Sequence, residues 1–211
     1  MAKTGTCAWR LRSFRIKLIA GTILLIAILI YFPFFFNSIE NRDGRVLPDF
    51  ILDWLPPRDM SVAVFTLIWA SCLLLIFRVL KDPDMLLSAL WGYGLLTVLR
   101  MGCIGLISLN PPGGLIPLAD PLTNSFYGSR YITHDLFFSG HTATVCLICF
   151  CLKRRADKYF TGFAAGLIGV LLLFQHVHYT IDVLAAPVFT YFVYRVARLF
   201  TRRESRLLTT G

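Results

Sequence analysis

Acidic charge is scarce in this 211-residue chain: 12 aspartates and glutamates stand against 21 lysines and arginines. Charge of either sign makes up 16% of the residues, while 56% are hydrophobic and the mean hydropathy is +0.67. That balance excludes an ordinary soluble core and indicates an integral membrane protein. Outside the apolar segments there is little interleaving of aromatic and basic residues. The net charge of +9 therefore does not point to nucleic acid. The basic residues cluster at the termini and between apolar runs, where they set topology and meet anionic headgroups. The six cysteines lack the spacing of a disulfide framework. Cys146-x2-Cys149-x-Cys151 lies in an apolar stretch with no second ligand cluster, which excludes a zinc site; no metal is expected. Cys149 and Cys151 adjoin a basic loop, which leaves palmitoylation open. No sequence repeat is evident.

The apolar runs predict an all-α polytopic membrane protein, a six-transmembrane-helix bundle. The first run, Leu18 to Phe36, exceeds the roughly 7–15 residues of a signal-peptide core and ends in Pro33 and phenylalanines rather than a cleavage site. The others are Met60–Phe77, Met85 to about Leu109, about Phe137–Leu152, Tyr159–Gln175 and Val177–Val196. The expected organisation is a basic tail at 1–17, a membrane domain at 18–200 and a second basic tail at 201–211. Gly162-x3-Gly166 predicts a small-residue face for close helix contact. By the positive-inside rule, both termini, the turn at 78–84 and the basic loop at 153–158 are cytosolic. The acidic loop 37–59 and the long loop 110–135 then lie on the lumenal or extracytoplasmic face.

Two short segments on that second face carry the chemistry: Phe138-Ser139-Gly140-His141-Thr142 and His178-Tyr179-Thr180-Ile181-Asp182. An ionisable residue within a bilayer costs roughly 2.5–3.5 kcal/mol on insertion scales and by default marks function. His178 and Asp182, four apart, share one face of a helix. The carboxylate would fix the imidazole tautomer and sharpen the other nitrogen as base or nucleophile. Ser139 as a helix cap would leave first-turn amides as an anion site, and Gly140 would let a substrate approach the backbone. Two histidines, a carboxylate and such a helix start suggest phosphoryl transfer through a phosphohistidine. Arg100 lies roughly 24 Å of helical rise from the turn at Asp84 and either snorkels to headgroups or binds a substrate phosphate. Arg130 is a second candidate phosphate contact. Asp135 opens the first motif, with a helix-entry residue as its plain reading. His176 and His178, two apart, point to different faces of a helix, so a chelate between them is not expected.

Asp135-Leu136-Phe137-Phe138-Ser139-Gly140-His141-Thr142 and His178-Tyr179-Thr180-Ile181-Asp182-Val183 resemble the signature motifs of the sphingomyelin synthase family, a branch of the type 2 phosphatidic acid phosphatase superfamily. Val46-Leu47-Pro48-Asp49-Phe50-Ile51-Leu52-Asp53 resembles the Leu-Pro-Asp motif after the first span of those enzymes. The chain has no Arg-Pro, which the phosphatase branch carries, and His134 stands where the family usually has a small residue. The resemblance implies a membrane phosphotransferase that moves phosphocholine or phosphoethanolamine from a glycerophospholipid donor to a ceramide-like acceptor and releases diacylglycerol. It maps the family's catalytic residues onto His141, His178 and Asp182, gives Asp49 a supporting role and needs no metal or cofactor. Tyr179, with Trp54, Tyr127, Tyr131 and Phe138, is a candidate for headgroup contact through an aromatic cage. A homo-oligomer is left open. The competing readings are a lipid phosphatase or phospholipase C-like hydrolase on the same residues, and a channel or proton relay. The last requires the two histidines to lie apart.

Overall fold

The computed structural model describes residues 11–118 and 132–209, with side chains to 201. Every regular element among them is a helix: α1 Arg12–Glu40, α2 Phe50–Trp54, α3 Ser61–Val79, α4 Pro83–Leu106, α5 Gly140–Cys151, α6 Arg155–Phe174 and α7 Thr180–Thr209. The loops add an isolated bridge between Arg45 and Leu109. Five helices are long and apolar enough to cross a membrane: α1, α3, α4, α6 and α7 over Thr180–Thr201. The protein is an all-helical integral membrane protein. α5 is apolar but only 12 residues long. At 1.5 Å of rise per residue it spans about 18 Å, against a hydrocarbon core of about 30 Å.

Several helix ends differ from those read in the sequence, each for a local reason. α4 begins at Pro83 because Asp82 caps it, its carboxylate accepting from the Met85 amide at 3.2 Å, and proline suits a first helical position. The fourth apolar run becomes helical only at Gly140, since Ser139 caps it and the preceding carbonyl is drawn off by Arg100. The sixth starts at Thr180 rather than Val177: His176 takes a positive φ of 55°, which no helix continues. α6 begins at Arg155, inside the stretch read as a basic loop. α1 and α7 run through residues 17–18 and 200–201 without a break.

α5 is the centre of the bundle. Ala143, Val145, Cys146, Leu147 and Ile148 are all buried among α3, α4, α6 and α7, which is why its sequence is apolar all round. α1 packs against α4 from outside and exposes Ile23, Leu29, Ile30 and Phe34, the expected face toward lipid. The carboxy ends of α1, α4 and α6 gather with the amino ends of α3, α5 and α7. Hydrogen bonds join Arg42 to the α4 carbonyls of Ile104 and Gly105, Arg58 to Phe174, and Ser139 to Asp182. The candidate residues sit at this end.

Candidate functional site

The start of α7 is built around Asp182. Its Oδ2 accepts from the Tyr179 amide at 3.0 Å while the Tyr179 carbonyl accepts from the Asp182 amide at 3.0 Å. That is the reach-back of a capping-box residue to the residue before the helix. The same Oδ2 lies 3.6 Å from His178 Nδ1. His178 thus precedes the helix, and the four-residue spacing works through a capped turn rather than along a helix face. Both side chains are buried, with 3% and 0% of their surfaces exposed. Among the described residues, His178 Nδ1 and Asp182 Oδ1 have no hydrogen-bond partner. A buried polar atom in that state costs about 1–3 kcal/mol and calls for a functional explanation.

The first motif is fastened to this turn. Ser139 donates its amide to the Asp182 carbonyl at 3.1 Å, and its hydroxyl caps α5 beside Thr142, 3.1 Å from Thr142 Oγ1. His141 follows in the first turn of α5, its ring edge-on to Phe65 at 5.9 Å between centroids. Both histidines therefore belong to helix starts joined by a backbone hydrogen bond.

Arg100 reaches the same place from α4. Its Nε donates to the Phe138 carbonyl at 2.9 Å and a terminal nitrogen to Asp135 Oδ1 at 2.8 Å. Its guanidinium lies against Gly140, where an added Cβ would come 2.5 Å from Arg100 Cζ. Only glycine permits that approach. Arg100 is 17% exposed, and Asp135, four residues before Ser139, is its ion-pair partner.

Asp49 links a third element. It caps α2 through the Ile51 and Leu52 amides at 3.1 and 3.3 Å. Its carboxylate also accepts from the amide and hydroxyl of Thr180, the first residue of α7, at 2.6 and 2.9 Å. Burial pushes its carboxyl up, but the bonds from Thr180, Leu52 and Ile51 outweigh this and hold it below the ordinary 3.8. Tyr179 is buried, its hydroxyl donating to the Asn110 carbonyl at 2.9 Å and accepting from the Leu47 amide at 3.1 Å. Its ring joins loops and, with Asp49 and Thr180, lines a shallow pocket beside α2. Phe138 is buried as well, stacked on Phe189 at 4.9 Å, whereas Trp54 is 86% exposed. These three aromatics do not form a cage. Arg130, Tyr127 and Tyr131 lie outside the described residues.

Other supporting groups escaped the sequence reading. Glu40, at the end of α1, accepts from the amides of Thr133 and His134 and meets His134 Nδ1 at 3.1 Å. His134 Nε2 is 3.3 Å from Asn110 Oδ1. Gln175 is buried and bonds Asp59, Ser61, Pro117 and the Met60 amide. A glutamine at the end of an apolar run was the available signal. His176 turns away from His178, its ring nitrogens 2.8 and 3.0 Å from the Gly113 and Leu55 carbonyls. Among the described residues no cluster of three or more histidine, cysteine or acidic side chains could hold a metal.

Residues 134–199 match the family described as PAP2 superfamily C-terminal. The match covers under a third of the chain. It holds Asp135, both histidine motifs and Asp182, whereas Asp49 and Arg100 lie outside it. The chain is also similar to phosphatidylcholine:ceramide cholinephosphotransferase 2 of Homo sapiens, 37% identical over 70 residues that cover 29% of this chain and 19% of the relative. The protein of that name from Macaca fascicularis is 36% identical over 70 residues, with the same shares covered. The chain spans about a fifth of the length of these curated relatives.

Proposed function

We propose that the protein is a membrane phosphotransferase that moves a phospho-headgroup, phosphocholine or phosphoethanolamine, from a glycerophospholipid to a ceramide-like hydroxyl. The observation that carries this reading is the backbone bond from Ser139 to Asp182, which joins the start of the His141 helix to the buried His178–Asp182 pair. Similarity to relatives named as ceramide cholinephosphotransferases supports the substrate class.

Asp182 faces Nδ1 of His178, so Nε2 is the nucleophile. It attacks phosphorus, the bond to the diacylglycerol oxygen breaks, and a phosphohistidine forms. Asp182 orients the ring and stabilises its positive charge; the 3.6 Å separation is a resting distance that closes as charge develops. His141 protonates the departing diacylglycerol oxygen, then takes the proton of the acceptor hydroxyl as that oxygen attacks phosphorus and frees His178. Arg100, beside Gly140, is the cation that meets the phosphate. Asp135 and Asp49 position Arg100 and the α7 turn. Whether the acceptor is a lipid hydroxyl or water is decided by water access to the phosphohistidine.

In this reading α5 is a sixth, shortened span whose capped start lies below the membrane surface. Non-helical backbone is tolerated at that depth because protein surrounds it: Leu136, Phe138 and Ser139 are buried. Both basic tails, 1–17 and 201–211, face the cytosol, and the membrane domain 18–200 holds the site on the lumenal or extracytoplasmic side.

The test is product analysis by mass spectrometry. Purified protein receives fluorescent ceramide with phosphatidylcholine or phosphatidylethanolamine, beside a His178→Ala control. Headgroup-bearing ceramide plus diacylglycerol, absent from the control, is expected and names the donor. Diacylglycerol with free phosphocholine or phosphoethanolamine would replace the reading with a hydrolase.

A further inference from the structure

The sequence predicts that Gly162-x3-Gly166 packs against another helix, but within this chain α6 makes its closest glycine approach elsewhere. α6 approaches α7 closely at Gly169, where an added Cβ would lie 2.6 Å from Val183 Cγ1. One turn earlier, a Cβ on Gly166 would meet nothing within 4 Å, and one on Gly162 only the Cys149 sulfur at 3.6 Å. Away from the site α6 and α7 part, and the glycines of α6 line a cavity of about 570 Å³ between α5, α6 and α7. That volume falls within the roughly 300–1,000 Å³ of small-molecule sites.

The cavity is apolar and directional. No charged side chain lines it. At one end are Thr142, next to His141, and Thr180, two residues from His178. From there it follows α5 to Phe150, about 12 Å of rise, and α6 from Leu173 back to Gly162, about 16 Å. Gly162 and Gly166 are exposed, so the groove opens sideways toward lipid. A slot without charge, in hydrocarbon, continuous with a polar site at one end, matches an alkyl chain attached to a polar head.

We propose that this groove holds one hydrocarbon chain of the lipid substrate whose head lies at the His141 and His178 helix starts, and that Gly162 and Gly166 set which chain fits. The proposal rests on the lipid-substrate reading above. The small residues of α6 keep space open for a ligand instead of bringing helices together. A side chain at Gly166 projects into the groove without meeting backbone. It also improves helix propensity by up to about 1 kcal/mol over glycine, so the variant keeps its fold.

Photocrosslinking tests this without turnover. Phosphatidylcholine and ceramide, each with a diazirine in one chain, are presented in separate arms to the full chain, its His178→Ala form and Gly166→Leu. Labelling mapped by peptide mass spectrometry is expected on 142–150 and 162–170 in the first two proteins. It should fall on the order of tenfold in Gly166→Leu, the scale of adding methylene volume to an apolar pocket. The arm that labels tells whether donor or acceptor occupies the groove. In turnover assays the kcat/KM ratio of long-chain to short-chain substrate should fall by a similar factor. Labelling spread along the outward faces of α1 and α3 and unchanged by Gly166→Leu would overturn the proposal. Groove labelling without headgroup transfer would keep the groove and discard the reaction.

Discussion

The two ends of the bundle use charge differently. At the end away from the site, charged side chains chiefly meet one another, though Asp82 also caps α4: Arg78 pairs with Asp157 at 2.8 and 3.0 Å, Arg198 with Asp84 at 2.9 Å, and Lys153 with Asp82. Each pair ties one helix or loop to another. At the site end, charged groups are spent largely on backbone: Asp49 on Thr180 and Leu52, Glu40 on Thr133 and His134, Arg100 on Phe138. Such bonds fix loops and helix starts. His178 Nδ1 and Asp182 Oδ1 also remain unpartnered at this end. Ion pairs between helices give an end that only holds; leaving buried groups unsatisfied is a cost that reacting groups justify.

The sharpest way to break this comparison is to change the two ends separately. Asp182→Asn keeps an oxygen to accept from the Tyr179 amide but loses the charge that supports an imidazolium at His178. Turnover should fall roughly 10³–10⁴-fold, the scale seen when a triad carboxylate becomes an amide, with little change in Tm. A rate within a few-fold of wild type would remove Asp182 from the mechanism. Gly140→Ala follows in size. Its methyl displaces the Arg100 guanidinium, and a shift of about 1 Å can cost on the order of 10²-fold.

Arg78→Ala is the counterpart at the other end. Its partner Asp157 is 10% exposed at the side chain, so the loss should lie between surface and buried values, roughly 1–3 kcal/mol. Thermal unfolding in detergent should show it, while turnover per folded molecule stays at the wild-type level. A matching loss of turnover would mean that the ends are coupled through α3 and α6.

The contrast also explains what the sequence reveals. Apolar runs report helices directly, and both histidine motifs stand out because ionisable residues beside such runs are rare. Ser139 was readable as a cap because capping is local. Arg100 was not: its place against Gly140 depends on α4 and α5 meeting across 40 residues of chain, and only the structure reveals that Gly140 makes room for an arginine. Glycine spacing at Gly162 and Gly166 says that a backbone is bare and not what covers it: within this chain a Cβ on Gly162 would meet the Cys149 sulfur and one on Gly166 nothing within 4 Å. Asp49 was legible only through the resemblance, because its partner Thr180 is 131 residues away.

Asp49 supplies the smallest effect and the one with a definite sign. Its folded carboxyl titrates below the ordinary 3.8, with the Thr180, Leu52 and Ile51 bonds prevailing over burial. Below that value the unfolded chain takes up its proton first, so the folded state loses stability as pH falls from about 4 through the lowered value. Above pH 5 this contribution is fully present and flat. Asp49→Asn removes the titration, so wild type and variant should converge in Tm as pH is lowered from 5 to 3. A constant Tm difference over that range would mean that Asp49 joins α2 to Thr180 through neutral hydrogen bonding alone, and that its charge plays no part in fixing the start of α7.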